Sequence, residues 1–282
     1  KVFMKILLLG KSGLIGQALF RVFSNHHALI APAHNECDVT DQNQLTTFIS
    51  KQPIDFVLNA TGYAKVDDAE QNRATAFLLN AIAVKYLCQI LGPKNIPLVH
   101  FSTDYVFDGT KQEGYEESDT PAPLSVYGLS KVAGEKEILT TLKNFYLIRT
   151  SWIFGPGGKN FVDTMIELHH KNLGKPLKVV HDQKGCPTYT FDLAQAILRL
   201  LESKNYGIYH IVNSGSCSWY EFAEEIFHQL GVPQEIIPLT SQELNRPAKR
   251  PTCSILRNTK LPPLRPWKQA LSTYLQEKQL LL

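Results

Sequence analysis

Long apolar runs are missing from this chain. No stretch approaches the roughly eighteen consecutive apolar residues of a membrane-spanning helix, so a membrane partner is not expected. An excess of one charge is missing too: 29 lysines and arginines against 26 aspartates and glutamates leave a net charge of +3, scattered along the chain. With no basic block to neutralise a phosphate backbone, nucleic acid is not an expected partner. Cysteine is sparse. Cys37, Cys88, Cys186, Cys217 and Cys253 are odd in number, far apart and without a CxxC spacing, which points to neither a disulfide framework nor a zinc site. The first residues lack a signal-peptide layout, Lys1–Phe3 standing ahead of the first apolar run. Reduced thiols then make the cytoplasm the expected compartment. Internal repeats and low-complexity segments are also lacking.

What is present is ordinary globular composition, 44% hydrophobic and 20% charged over 282 residues, enough for one large domain or two unequal ones. The first half alternates short apolar runs with amphipathic stretches. MKILLLG (4–10), ALIAPA (28–33), DFVLNA (55–60), PLVHFS (97–102) and FYLIRT (145–150) read as strands, with helices near 14–24, 41–51, 69–91 and 127–142. Near-continuous apolar strands separated by helices argue for a parallel sheet covered on both faces. Beyond residue 150 the rhythm changes. Turn-rich loops at 156–161, 172–177 and 181–188 precede helical patterns near 190–203 and 218–230, a strand at 207–212, a proline-rich polar region at 240–263 and a last helix near 266–278. The division expected is 4–150 as one domain and 151–282 as a smaller lobe that returns at least one strand to the main sheet.

The first strand runs directly into GKSGLIGQAL, whose Gly10, Gly13 and Gly16 have GxxGxxG spacing and open a helix. That arrangement provides a tight turn, close backbone approach to a pyrophosphate and an anion site at the helix N-terminus. It turns the α/β reading from a barrel towards a Rossmann-type doubly wound parallel sheet with a smaller C-terminal substrate-binding lobe. Lys11, Ser12, Leu14 and Ile15 complete the loop's candidate cofactor contacts. An acid is commonly offered to a ribose 2′-hydroxyl at the end of the second strand, but His34 and Asn35 stand there instead. Lys11 is free to meet a 2′-phosphate, and the expected cofactor is NADPH or NADH, with NADPH favoured. Asp38 and Val39 are candidates for the adenine end, while Thr40 or Asp41 suits a helix N-cap. Ala60, Thr61, Gly62 and Tyr63, in NATGY at the third strand's end, form a small-residue turn where a cofactor can approach the backbone.

The fourth strand ends in Ser102 and Thr103, and 24 positions later VYGLSK places Tyr127 and Lys131 one helical turn apart. A ketone that receives a hydride needs a proton as charge develops on oxygen. Tyr127 is a candidate acid, Lys131 a cation able to lower its pKa and to hold a ribose, and Thr103 a hydrogen-bond partner for the substrate oxygen. Each has a bland reading as well: a strand-end cap, a packed aromatic, a surface charge.

These segments, with NATGYAKVDDAE, HFSTDYVFDGT, PLSVYGLSKVAGE, LIRTSWIFGPGGKNF, DQKGCPTYTFDLA and RPAKRPTCSIL following in order, resemble the dTDP-4-dehydrorhamnose reductase family of the extended short-chain dehydrogenase/reductases. The resemblance implies reduction of the C4 ketone of a dTDP-4-keto-6-deoxyhexose, with Thr103, Tyr127 and Lys131 as a catalytic triad. It implies substrate contacts from Val66, Asp104, Trp152, Asn160 and Arg250, besides Thr103 and Tyr127, with Tyr63 and Asp67 near the site's mouth. Trp152 reads equally as a core aromatic. Some members bridge a dimer through a metal held by glutamates, but Ala18 occupies one such position here and Phe191–Asp192 another. No metal is therefore expected, and the chain is expected to be a monomer or a homodimer without a metal bridge. A nucleotide-sugar epimerase or dehydratase on the same scaffold, or a regulatory subunit similar to the β subunit of methionine adenosyltransferase, are the rival readings.

Overall fold

Strands buried on both faces have no side on which to place polar residues, which is why the first half's apolar runs are continuous. In the computed structural model, which describes residues 3–171 and 174–280, they form β1 (Lys5–Leu9), β2 (Ala28–Ile30), β3 (Phe56–Asn59), β4 (Leu98–Thr103) and β5 (Phe145–Thr150). A sixth strand, β6 (Gly207–His210), comes from the second half and pairs with β5, Tyr209 opposite Ile148. All pairings are parallel, in the spatial order 6-5-4-3-1-2. The winding reverses between β1 and β3, so the carboxyl ends of these strands border the crevice where doubly wound sheets bind ligands.

Among the described residues, eight longer helices cover the sheet and build the lobe beside it: α1 (Leu14–Phe23), α2 (Gln42–Ser50), α3 (Arg73–Leu91), α4 (Val126–Thr141), α5 (Phe161–Lys171), α6 (Thr190–Ser203), α7 (Trp219–Leu230) and α8 (Trp267–Glu277). On one face, Leu19 and Phe23 of α1 and Leu193 and Ile197 of α6 pack over Ile6, Leu8 and Ile148. On the other, Leu45, Leu87, Leu91 and Ile138 from α2, α3 and α4 pack over Leu7, Val57 and Leu147. A third cluster, with Phe154, Phe222, Trp267 and Tyr274, holds α5, α7 and α8 together. The second half thus returns a helix as well as a strand, because α6 fills the sheet face that α1 leaves open.

Several elements carry no readable period in the sequence. Two-residue strand pairs join Ile153–Phe154 to Thr188–Tyr189 and Lys184–Gly185 to Cys217–Ser218, while Leu177–Val180 pairs with Ile236–Leu239. These strands lie within or beside segments expected as loops. The expected loop at 172–177 falls partly, at residues 172 and 173, outside the described residues.

The stretch expected as one helix at 69–91 is a single turn, Val66–Ala69, followed by α3. At 19 residues and a mean hydropathy of 1.6, α3 has the length and composition of a membrane span, closer to one than the sequence suggested. Its buried side packs on the sheet instead, with Val84, Leu87, Cys88 and Leu91 fully covered. Within it, Leu78–Ile82 is a π-helical turn, a local widening that is common at functional sites. The bulge brings the carbonyl of Asn80 against α4, where a Cβ added at Gly134 would lie 2.0 Å from that oxygen. Gly134→Ala is therefore expected to lower the unfolding free energy by about 1–3 kcal/mol, read from denaturant midpoints. Wild-type stability in this variant would contradict the backbone contact.

Candidate active site

The glycine loop is shaped by contacts that admit no side chain. Gly10 has φ +82°, and a Cβ there would lie 2.7 Å from the Ala60 carbonyl carbon; a Cβ at Gly16 would lie 2.0 Å from Gly10 O. Helix α1 then starts at Gly13 with no side-chain cap and no acid in its first turn, leaving its first amides open to an anion. Lys11, Ser12, Val39, Ala60, Thr61 and Gly62 line the adjoining groove of about 1010 Å³ together with His34 and Phe20. Lys11 Nζ sits 3.6 Å above the Phe20 ring. Asp38 does not line this groove. Its Oδ1 accepts from Thr40 N and Thr40 Oγ1, both at 2.8 Å, closing a turn, while Asp41 caps α2. The first acid after β2, Glu36, accepts from Ala33 N at 2.7 Å.

A second cleft of about 320 Å³ lies alongside, reached by Gly13, Leu14, Ile15 and the Ala60–Gly62 turn. Thr103, Asp104, Tyr127, Lys131 and Trp152 all line it. Thr103 arrives from the end of β4. Ser125 caps α4 by accepting from Gly128 N at 3.2 Å, which sets Tyr127 in the first turn and Lys131 one turn on. Thr103 and Tyr127 line the same cleft, and the Tyr105 ring meets Tyr127 edge-on at 6.0 Å. Lys131 Nζ donates to Phe101 O at 3.1 Å, and a Cβ at Gly62 would come within 2.9 Å of it. The ammonium therefore faces the small-residue turn after β3.

Burial dominates the titration of these groups. Tyr127 is pushed up to about 12, the neighbouring Thr103 hydroxyl opposing the shift. Lys131 is pushed down to about 8, with Glu135 opposing. The expected lowering of the tyrosine by the lysine is thus overturned for the free protein: desolvation of the phenolate prevails, and the ammonium is directed at a carbonyl. Asp104 is pushed up to about 6 by burial, against hydrogen bonds from Ser254 and Thr103.

Beneath the cleft lies a polar layer that sequence reasoning did not single out. Glu135, one turn after Lys131, accepts from Arg149 Nε at 3.0 Å, Arg149 Nη2 at 2.7 Å and Ser102 Oγ at 2.5 Å. Both ions are 2% exposed. Asn80, on the π turn, accepts from Tyr63 N and donates to Tyr63 O and Ser130 Oγ, tying the turn after β3 to α4. A polar residue inside the apolar run FLLNAIAV was the signal available for Asn80. Asn59 and His100 pair at 3.0 Å between β3 and β4.

The remaining candidates take other places. Val66 and Tyr63 pack beside Tyr127, and the Tyr63 hydroxyl donates to Asp68. Trp152, at φ +46°, lines the cleft and also stacks on Trp219 with centroids 3.5 Å apart, so it packs with the aromatic cluster of the second half. Asn160 is not a cleft residue: buried, it accepts from Asp163 N at the start of α5 and donates to Gly155 O and Tyr274 Oη. It steadies the loop whose Gly157 carbonyl accepts from Gln17 on α1. Arg250 has its fork filled by Asp67, with two bonds of 2.9 Å. Asp192 is held by Arg265 at 2.7 and 2.9 Å, and Ala18 packs in the core.

A glycine loop at the crevice of a doubly wound sheet, leading into a strand-end threonine and a Tyr/Lys helix, defines the class of extended short-chain dehydrogenase/reductases. Residues 4–280 match the family model described as the RmlD substrate binding domain, and the chain belongs to that family. It is 39% identical to a probable dTDP-4,6-dihydroxy-2-methyloxan-3-one 4-ketoreductase of Streptomyces antibioticus, covering 95% of this chain and 93% of that one. It is 36% identical to the dTDP-4-dehydrorhamnose reductase of Aggregatibacter actinomycetemcomitans, over 91% and 92% of the two chains. The crystal structure of dTDP-4-dehydrorhamnose reductase from Bacillus anthracis in complex with NADP superposes with a TM-score of 0.94 at 32% identity, covering 98% of this chain and all of that one.

Removing one partner of the buried pair is costly because the other charge is stranded. Glu135→Ala is expected to cost about 3–5 kcal/mol of stability, and Glu135→Leu with Arg149→Met to recover most of it. Thermal and denaturant unfolding of the three proteins decides this; equal losses in the single and double variants would contradict it.

Proposed function

We propose that this chain reduces the C4 ketone of a dTDP-4-keto-6-deoxyhexose, dTDP-4-dehydrorhamnose to dTDP-L-rhamnose being the favoured instance. The observation that carries the reading is the meeting of Thr103, Tyr127 and Lys131 in one cleft that shares its Ala60–Gly62 wall with the glycine-loop groove. The open amides of α1, following the tight turn that the close packing of Gly10 and Gly16 allows, fit a dinucleotide pyrophosphate. Gly10–Gly16, Val39 and the 60–63 turn would hold the cofactor, with Asp38 supporting the adenine end through its turn, and Lys131 would hold its ribose. When bound, NADPH supplies the hydride that reduces the ketone carbon. Tyr127 gives its proton to the developing alkoxide. Its raised pKa keeps it protonated at neutral pH, as a proton donor requires. Thr103 orients the tyrosine hydroxyl, and the Lys131 ammonium stabilises negative charge left on the phenol oxygen. Trp152 offers an apolar face to the sugar ring.

Lys11 over Phe20, His34 at the groove wall and a Glu36 already bonded to Ala33 N favour a 2′-phosphate over a free ribose hydroxyl. Residues 4–150 are read as the cofactor-binding part and 151–282 as mainly substrate-binding, without a bridging metal. Arg250 would reach the nucleotide portion of a substrate only by leaving Asp67. Five free, buried thiols suit a cytoplasmic enzyme.

Tyr127→Phe should lower turnover by about 10²–10⁴-fold while leaving NADPH affinity, measured by fluorescence titration, nearly intact. Near-wild-type turnover would remove Tyr127 from the mechanism. Steady-state kinetics with each cofactor should give a higher kcat/KM for NADPH than for NADH, and Lys11→Ala should shrink that ratio. A preference for NADH would overturn the assignment.

A further inference from the structure

Gln17 lines the cofactor groove from the first turn of α1. Its side-chain amide donates twice, to Ser12 O at 2.9 Å and to Gly157 O at 2.6 Å. The first bond acts on the glycine loop. The Ser12–Gly13 peptide is held at both ends, Ser12 O by Gln17 and Gly13 N by Gly10 O at 3.2 Å. The turn ahead of the open amides of α1 is thus fixed before an anion arrives. The second bond acts 140 positions away, on the loop that leads into α5. Gly157, at φ +98°, lies so close to Gln17 that a Cβ there would come within 2.0 Å of Oε1. A Cβ at Gly158 would meet Leu14 Cγ at 3.2 Å. From the other end Asn160 steadies the same loop, donating to Gly155 O at 3.1 Å and Gly158 O at 3.2 Å.

Between Gly158 and Asn160 stands Lys159, exposed and, among the described residues, without a side-chain hydrogen bond or ion pair. Asp163, the nearest acid along the chain, is already taken by Asn160, Tyr274 and Lys278. The strapped loop therefore sets a free ammonium beside a helix N-terminus whose first turn has no acid. We propose that Lys159 is a phosphate-binding residue whose ammonium pairs with the pyrophosphate of a dinucleotide seated on the α1 amides. Gln17 is the positioning residue that holds the loop beside them. The inference rests on the cofactor site of the reading above, not on its ketone.

A helix N-terminus is equivalent to about half a positive charge, which leaves most of a pyrophosphate's charge unmatched. Lys11, over Phe20 in the groove, is assigned to the 2′-phosphate that NADPH alone carries. Lys159 would meet the bridge that NADPH and NADH share, so the two lysines divide the anion between them. The diphosphate of a nucleotide sugar offers the same chemistry. The loop, however, packs on Leu14 and Gln17 of the helix that opens the cofactor groove, which favours the cofactor as the source.

The test is fluorescence titration of the full chain with NADPH and with NADH, beside calorimetric titration with dTDP, in the wild type, Lys159→Ala, Lys159→Arg and Gln17→Leu. Lys159→Ala should weaken both dinucleotides alike, by about fivefold, and leave dTDP affinity unchanged. The loss should shrink as salt is raised. Lys159→Arg keeps the cation and should recover most of it. Gln17→Leu should weaken both dinucleotides by about tenfold and raise the KM for NADPH more than it lowers kcat, a split that partial unfolding does not produce. If Gln17→Leu does not fold, the exposed Lys159 carries the test. Unchanged dinucleotide affinity in Lys159→Ala, or a loss that arginine does not recover, would overturn the inference. So would a loss confined to NADPH, or one confined to dTDP, which would assign the ammonium to the substrate's diphosphate. Wild-type dinucleotide affinity in a folded Gln17→Leu would overturn the role of the strap. Dinucleotide binding without reduction of any ketone would instead remove the reductase reading and leave Lys159 in place.

Discussion

One buried carboxylate ties the catalytic helix to the sheet. Glu135 sits on α4 and takes hydrogen bonds from Ser102 on β4 and Arg149 on β5, so the helix cannot slide along either strand without stranding a charge. That register brings Tyr127 to Thr103 and sets Lys131 below the turn that follows β3. The opposite side of α4 is fixed by shape, Gly134 against the Asn80 carbonyl. A polar clamp on one side and a side-chain-free contact on the other hold the site in place before any ligand arrives.

The same helix shows how much burial alters the chemistry of an adjacent pair. A tyrosine and a lysine four apart suggest a depressed phenol, yet the free protein raises Tyr127 and lowers Lys131, since both lose water and neither faces the other as its main partner. A tyrosine that stays protonated is what proton donation needs. The lysine is better placed to steady the charge that appears once the proton has gone. Asp104 adds a third buried titratable group, with the second half of the chain supplying its Ser254 partner.

The strand-end threonine, the Tyr127/Lys131 spacing and the glycine loop were legible because each is a short-range pattern with a fixed geometric meaning. The alternation of apolar runs and helices likewise gave the sheet and most of its helices. What stayed hidden depends on contacts between distant residues. Ser254 meets Asp104 across 150 positions and Arg250 meets Asp67 across 183, and no local period announces either. Arg250 looked like a phosphate ligand because an arginine fork fits a carboxylate and a phosphate equally well. Asn160 read as a contact to the nucleotide portion of a substrate, and the same amide serves as a helix cap. Two-residue strands and a π turn are too short to leave a periodic trace.

The central claim, a hydride-consuming reduction of a nucleotide-linked 4-keto sugar, is tested most directly by identifying the product. The protein is incubated with dTDP-4-dehydrorhamnose and NADPH, cofactor oxidation is followed by absorbance, and the sugar is identified by proton NMR. One NADPH consumed per molecule of dTDP-L-rhamnose formed is the expected result. A rearranged sugar without net cofactor oxidation, or no reaction with any 4-keto-6-deoxy sugar, would contradict it.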